Sequence, residues 1–218
     1  MTLKTMGARG AFGAEVRALT KDAPISLDVK GKLDSSLIDA QVKALTGTSR
    51  VDLTAHARIP SDQDPTTSAY VKIAARDVNA TAFGGPESSL GLDTEASADV
   101  AANGGVIGRY EVHVLPGVVS AEPIPDARIR GTFTDKRVLG SANVAETGAP
   151  VELRYDVALA AADGPDIGFD LTTRSHDLTK IPQLRGVLKG TALIEAKGHA
   201  SLGSKKIDGH VVTQLENF

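Results

Sequence analysis

The sequence predicts an all-β chain, an elongated, curved, antiparallel-rich sheet folded into a U-shaped apolar groove. Three observations predict it. Apolar and polar residues alternate with period two along most of the 218 residues, Gly and Pro punctuate the alternating runs, and one stretch of text returns a hundred residues later. The stretch from Val71 to Val78 (VKIAARDV) is echoed by Leu171 to Leu178 (LTTRSHDL), each an apolar run ending in an Asp-aliphatic pair. Downstream, Leu92, Glu95, Ala96 and Ala98 fall opposite Ala192, Glu195, Ala196 and Gly198. The chain therefore reads as a single elongated β domain over 1–218 with internal repeats, 67–100 echoed by 167–200.

The elements follow from the alternation. Phe12, Ala14, Val16 and Ala18 form one apolar set, and Ile25, Leu27, Val29, Gly31 and Leu33 the next. A turn at Asp34-Ser-Ser36 leads to Ile38, Ala40, Val42 and Ala44, and Thr46-Gly-Thr-Ser49 returns the chain to Val51, Leu53, Ala55, Ala57 and Ile59. Residues 60–68 read as a loop. Ala69, Val71, Ile73 and Ala75 then alternate until Asp77, where a short helical or irregular turn is expected over Asp77–Ala82 and again over Asp177–Pro182. Ala96, Ala98 and Val100 lead into Asn103-Gly104, a hairpin signal because both residues tolerate positive φ, and Tyr110, Val112 and Val114 lead away. Further returns fall at Thr134–Arg137, Ala162–Pro165 and Gly203–Lys205. Between them run Val151, Leu153, Tyr155, Val157 and Leu159, then Ile167, Phe169 and Leu171, then Ala192 to Leu202.

An apolar sheet face must be buried against something. The inward positions here are rich in Ala, Trp is absent and there are only five Phe and three Tyr, too little bulk to fill a sandwich whose layers stand about 10 Å apart. A sheet curved over its own axis, leaving a narrow apolar trough, suits this composition. A filled sandwich remains the other reading of the same alternation. Outward residues such as Asp28, Lys30, Asp52, Arg58, Lys72, Glu152, Arg154 and Asp170 mix both signs, as a solvated strand face does.

The remaining chemistry points away from catalysis and from nucleic acid. A net charge of -3 and the lack of a basic cluster interleaved with aromatics argue against nucleic-acid binding. With no Cys there is no thiol nucleophile or Cys-ligated zinc, and the five His are too scattered for a zinc site. Asp77 and Asp177 recur, which suits a turn-capping role in each repeat better than a catalytic pair. No nucleophile elbow or phosphate-cradling glycine motif is present, so no enzyme activity, no cofactor and no metal are expected.

Several segments together resemble a known family. They are Asp28-Val-Lys-Gly-Lys-Leu33 with Ile38-Asp-Ala-Gln-Val42, the Arg76-Asp-Val78 and His176-Asp-Leu178 pairs, and the glycine-bearing Arg128-Ile-Arg-Gly-Thr-Phe133 and Leu188-Lys-Gly-Thr-Ala192. The texture resembles the AsmA-like superfamily, closest to the TamB-type translocation and assembly module. The resemblance implies a β-taco, or repeating β-groove, with an apolar concave side. It implies a segment of a periplasm-spanning lipid-transfer protein whose full-length parent is anchored in the inner membrane of a Gram-negative cell. Phospholipid acyl chains are the implied cargo and an outer-membrane barrel protein an implied partner. On that reading the groove lining is Val51, Leu53, Ile59, Val71, Ile73, Val112 and Val114 in the first half, and Leu153, Val157, Phe169, Leu171 and Ile194 in the second. The alternatives are a scaffold for assembly of outer-membrane β-barrel proteins and a non-transporting structural β-solenoid or sandwich module.

Overall fold

The computed structural model describes residues 2–4, 10–19, 24–34, 36–60, 65–83, 85–145, 150–159, 164–180 and 189–217. Part of the loop read over 60–68, the start of the Ala162–Pro165 return, and Ile181 and Pro182 lie outside the described residues. The chain divides into two compact units, Met1–Ile124 and Pro125–Phe218. The first unit holds β1 (Thr2–Lys4), β2 (Gly10–Leu19), β3 (Pro24–Asp34), β4 (Leu37–Thr46) and β5 (Ser49–Arg58), then β6 (Thr67–Val78), β7 (Ser88–Val100), β8 (Val106–Val119) and β9 (Glu122–Ile124). The second holds β10 (Asp126–Thr134), β11 (Arg137–Ala145), β12 (Pro150–Ala158), β13 (Asp166–Asp177), β14 (Thr191–Ser201) and β15 (Lys206–Glu216).

Within each unit the strands form an antiparallel meander in which every strand pairs with its sequence neighbour. β1 ends the path in the first unit and β15 in the second, so neither sheet closes on itself into a barrel. The all-β, antiparallel fold expected from the alternation is therefore the fold observed, and it is consistent with a repeating β-groove. Among the described residues no helix is long and apolar enough to cross a membrane.

Local chemistry sets the turns. Gly47, at φ 57°, lets the chain return from β4 to β5 over Gly47-Thr48, a two-residue hairpin that L side chains disfavour at that position. Asn103-Gly104 sits inside a longer loop over residues 101–105, closed by the Ala101 amide on the Gly105 carbonyl at 2.9 Å, with the Asn103 side chain accepting from the Gly105 amide at 3.0 Å. The β10–β11 turn is held by Thr134 Oγ1, which accepts from the amides of Lys136 and Arg137 at 3.2 and 3.1 Å. At the β8–β9 turn both Ser120 (φ 50°) and Ala121 (φ 68°) occupy the left-handed region.

β6 and β13 carry the same irregularity. Val71 pairs Ala96 and Leu171 pairs Ala196, so the β13–β14 ladder keeps the register of β6–β7 displaced by one hundred residues. Each ladder then slips by one residue, between Ala75 and Val78 in one and between Thr173 and His176 in the other. Each bulged strand runs into a 3-10 turn, Ala80–Phe83 and Leu178–Lys180. Asp177 caps its turn as expected, Oδ1 accepting from the Thr179 amide at 3.0 Å and from its hydroxyl at 2.7 Å. In the first unit the equivalent oxygen belongs to Asn79, which accepts from the Thr81 amide at 3.0 Å and hydroxyl at 2.8 Å. Asp77 instead makes the bend itself, at φ 50°.

Two buried serines clasp the first bend. Ser49 Oγ, reaching from β5, donates to the Asp77 carbonyl at 3.0 Å and accepts from the Asn79 amide at 2.9 Å. From β7, Ser88 Oγ donates to the Val78 carbonyl at 3.2 Å and accepts from the Ala80 amide at 2.8 Å. These hydroxyls replace the ladder bonds that the bulge removes. In the second unit Thr173 Oγ1 accepts from the Ile194 amide at 3.1 Å across its own bulge.

Ser49→Ala should strand one amide and one carbonyl in a buried bend, and urea unfolding should register a loss of about 1–3 kcal/mol. Ala121→Gly should do the reverse, relieving a non-glycine left-handed residue for a gain of about 1 kcal/mol in the same measurement.

Candidate functional site

The candidate site is the apolar face of each sheet. In an antiparallel ladder directly paired residues lie on the same face, so pairings chain into rows that cross the strands. In the first unit Val29, Val42, Leu53, Ile73, Thr94 and Val112 make one row. On one side of it runs Ala44, Val51, Ala75, Leu92 and Val114, and on the other Gly31, Ala40, Ala55, Val71, Ala96 and Tyr110. Val51, Leu53, Val71, Ile73, Val112 and Val114 thus share one face. Ile59 follows β5 rather than belonging to it; its amide donates to the Ser36 carbonyl at 2.8 Å and its side chain is exposed.

The second unit repeats the arrangement. Leu153 and Leu171 are directly opposed in a row with Ile129, Ala142, Ala196 and Val211, and Val157 lies between Val138 and Ile167. Ile194 pairs with Thr173 and Thr213 on that face. Phe169 and Tyr155 stand opposite each other in a row whose other members are Gly131, Gly140, Gly198 and Gly209. The Phe169 ring leans over Gly198 so closely that a methyl there would come within 2.5 Å of it. An aromatic ring thus covers bare glycine backbone. Leu92 and Tyr110 also join the first face, beyond the lining expected from the sequence. Beside Leu92 the signal is broken by Gly91, where a side chain would meet Leu115 at 2.8 Å and the β7–β8 ladder slips.

Among the described residues only Ala75, Leu178 and Ala192 are buried hydrophobics, and no large side chain is fully buried, so these faces are not sealed as a filled core would be. Within each unit the substantial contacts of each strand are with its ladder neighbours. Apart from buried Ala75 and Thr173 and the exposed members on β15, the row residues are half-buried.

The opposite face is charged. Lys72 Nζ lies 2.5 Å from Glu95 Oε1, directly across β6–β7, and Arg76 contacts Asp93 at 2.8 Å. His56 Nδ1 is 2.5 Å from Asp39 Oδ1 and its ring stacks on Tyr70 with centroids 6.0 Å apart. In the second unit Lys197 pairs with Asp170 at 3.2 Å and Arg137 grips Asp156 with two nitrogens. Such exposed pairs contribute about 0–1 kcal/mol each and chiefly fix which side faces water. Among the described residues no group of three or more His, Asp or Glu gathers as a metal site.

Hydrogen bonding from Arg50 holds the Asp52 carboxyl below the usual carboxylate range, and Arg137 does the same to Asp156. A depressed folded-state pKa contributes stability above the unfolded value and loses it as pH falls through the folded one. The melting temperature should therefore drop on acidification below about pH 4, and Arg137→Gln should flatten that acid limb by lowering the neutral plateau slightly while leaving the low-pH end nearly unchanged. No protein-family model, curated protein or solved structure matches this chain.

Proposed function

We propose that the apolar face is a track for phospholipid acyl chains and that the chain is a segment of a lipid-transfer protein of repeating β-groove type. The observation that carries this reading is a set of continuous apolar rows that, among the described residues, leaves no large side chain fully buried. Six strands from β3 to β8 give five spacings of about 4.8 Å, so a row runs roughly 24 Å. An extended acyl chain spans about half of a ~30 Å hydrocarbon core and fits along it. Each methylene fully withdrawn from water contributes about 0.8 kcal/mol, less when only one side is covered. Rows of Ala, Val, Leu and Ile offer dispersion contacts without a fixed polar anchor, which permits sliding rather than tight capture. The resemblance to AsmA-like proteins adds the cellular setting, a periplasm crossed by a longer parent anchored in the inner membrane.

Gently purified protein examined by native mass spectrometry should carry phospholipid. Ile73→Asp and Leu153→Asp should reduce the bound lipid by about tenfold or more, because a carboxylate on the track must be desolvated by the acyl chain. Lys72→Gln, on the opposite face, should leave it unchanged. Folded protein that is lipid-free throughout, or lipid retained equally in all three variants, contradicts the proposal.

A further inference from the structure

We propose that the charged face of the second unit carries a binding site for a phosphate ester bearing an amino group, phosphoethanolamine being the smallest of that class. The site is built on one ladder row, Arg130 on β10, Ser141 on β11 and Arg154 on β12, on the face opposite Ile129, Ala142 and Leu153. It goes beyond the acyl-chain reading and does not rest on it. The two arginines stand two strand spacings apart, about 9.6 Å at the backbone, so both guanidinium groups can close on one anion above Ser141. Between them lies a cleft of about 190 Å³ whose polar lining is Arg130, Ser141, Asn143, Glu152 and Arg154.

Other cations of this face meet acids. Arg137 grips Asp156, and Lys197 lies 3.2 Å from Asp170. Among the described residues Arg130 and Arg154 make no ion pair or side-chain hydrogen bond, and neither does Arg128, which faces Asn143 one row away. β11 is the reason: opposite Arg130 and Arg128 it offers Ser141 and Asn143, neutral side chains where an acid would complete the pairing. Like charges gathered in this way repel, and an oxyanion relieves them. A guanidinium meets phosphate with paired N–H bonds, and the Ser141 hydroxyl and Asn143 amide are further donors.

Glu152 decides the class of ligand. It lines the same cleft, also has no ion pair among the described residues, and with Arg154 it walls a second cleft of about 130 Å³ that reaches Asp170 and Thr172. Plain phosphate would bring its charge against this carboxylate. An ammonium a few bonds from the phosphate instead makes the carboxylate a partner, with the Asp170 carboxylate and Thr172 hydroxyl beyond it as acceptors. A lipid lying on the apolar rows cannot thread its headgroup through the ladder to this face. The ligand therefore arrives either as a soluble phosphate ester or as a headgroup on a membrane surface lying against it.

Phosphoethanolamine titrated into the isotopically labelled full chain and followed by NMR should shift the amide resonances of Ser141, Asn143 and Arg154 with a submillimolar Kd. Inorganic phosphate should bind at the same residues about tenfold more weakly. Arg130→Gln or Arg154→Gln should weaken both ligands about tenfold or more, whereas Glu152→Gln should weaken phosphoethanolamine alone and erase the difference. Lys72→Gln, in the first unit, should change neither. All these side chains lie on the charged face, and circular dichroism checks that each variant stays folded. Co-sedimentation with vesicles containing phosphatidylethanolamine separates the two sources: vesicle binding that Arg154→Gln abolishes assigns the headgroup, and vesicle binding indifferent to that change assigns a soluble ester. Amides that do not move up to millimolar ligand, shifts that persist in both arginine variants, or phosphate bound as tightly as phosphoethanolamine overturns the inference.

Discussion

The constraint on which the rest of this protein depends is that each strand within a unit is held chiefly by the strands beside it. Backbone hydrogen bonds and cross-strand pairs such as Leu53 with Ile73, or Leu153 with Leu171, hold the sheet together. A conventional domain would bury both residues of such a pair under a second layer. Here the same residues stay half-buried and stabilise their neighbours in the ladder. Stability is then mostly a sum of nearest-neighbour terms, the behaviour expected of stacked repeats.

Such a sheet needs its defects placed with care. The one-residue slip in β6 and in β13 interrupts the ladder, and each is met by a hydroxyl at the bulge, Ser49 and Ser88 from adjoining strands in one case and Thr173 in the other. Bulges increase local twist and bend the strand. Gly117 shows how tightly the β7–β8 irregularity is drawn, since a side chain there would lie 2.4 Å from the Ser89 carbonyl. Charge on the other face complements the arrangement: Lys72 with Glu95 and Lys197 with Asp170 sit directly opposed across the strands, marking that surface as the one given to water.

The parity of the strands was legible because alternation is a local signal. Val51, Leu53, Val71 and Ile73 could be assigned to one face from spacing alone, and the ladders place them there. Ile59 shared that parity, but its strand stops at Arg58. β15 was signalled only by the Gly203–Lys205 return, because Gly209 and Thr213 interrupt its apolar set while Val212 adds an apolar residue on the other face. The clasping role of Ser49 and Ser88 was hidden for a different reason: each meets a bend that lies in another part of the chain, and no spacing rule links them. The cap at Asn79 rather than Asp77 shows the limit of reading a repeat by letters, since the capping function moved by two residues while the ladder register stayed fixed.

The central claim is that one face of the sheet remains open to hydrocarbon and the other to water. Spin labels on single cysteines replacing Leu53 and Thr54, neighbours on opposite faces of β5, test it directly by power-saturation EPR with phospholipid present. The account predicts that the label at 53 becomes accessible to oxygen and shielded from a water-soluble relaxant when lipid is added, while the label at 54 stays water-exposed. A label at 53 that is already shielded without lipid, or that remains as wet as its neighbour in its presence, would contradict it.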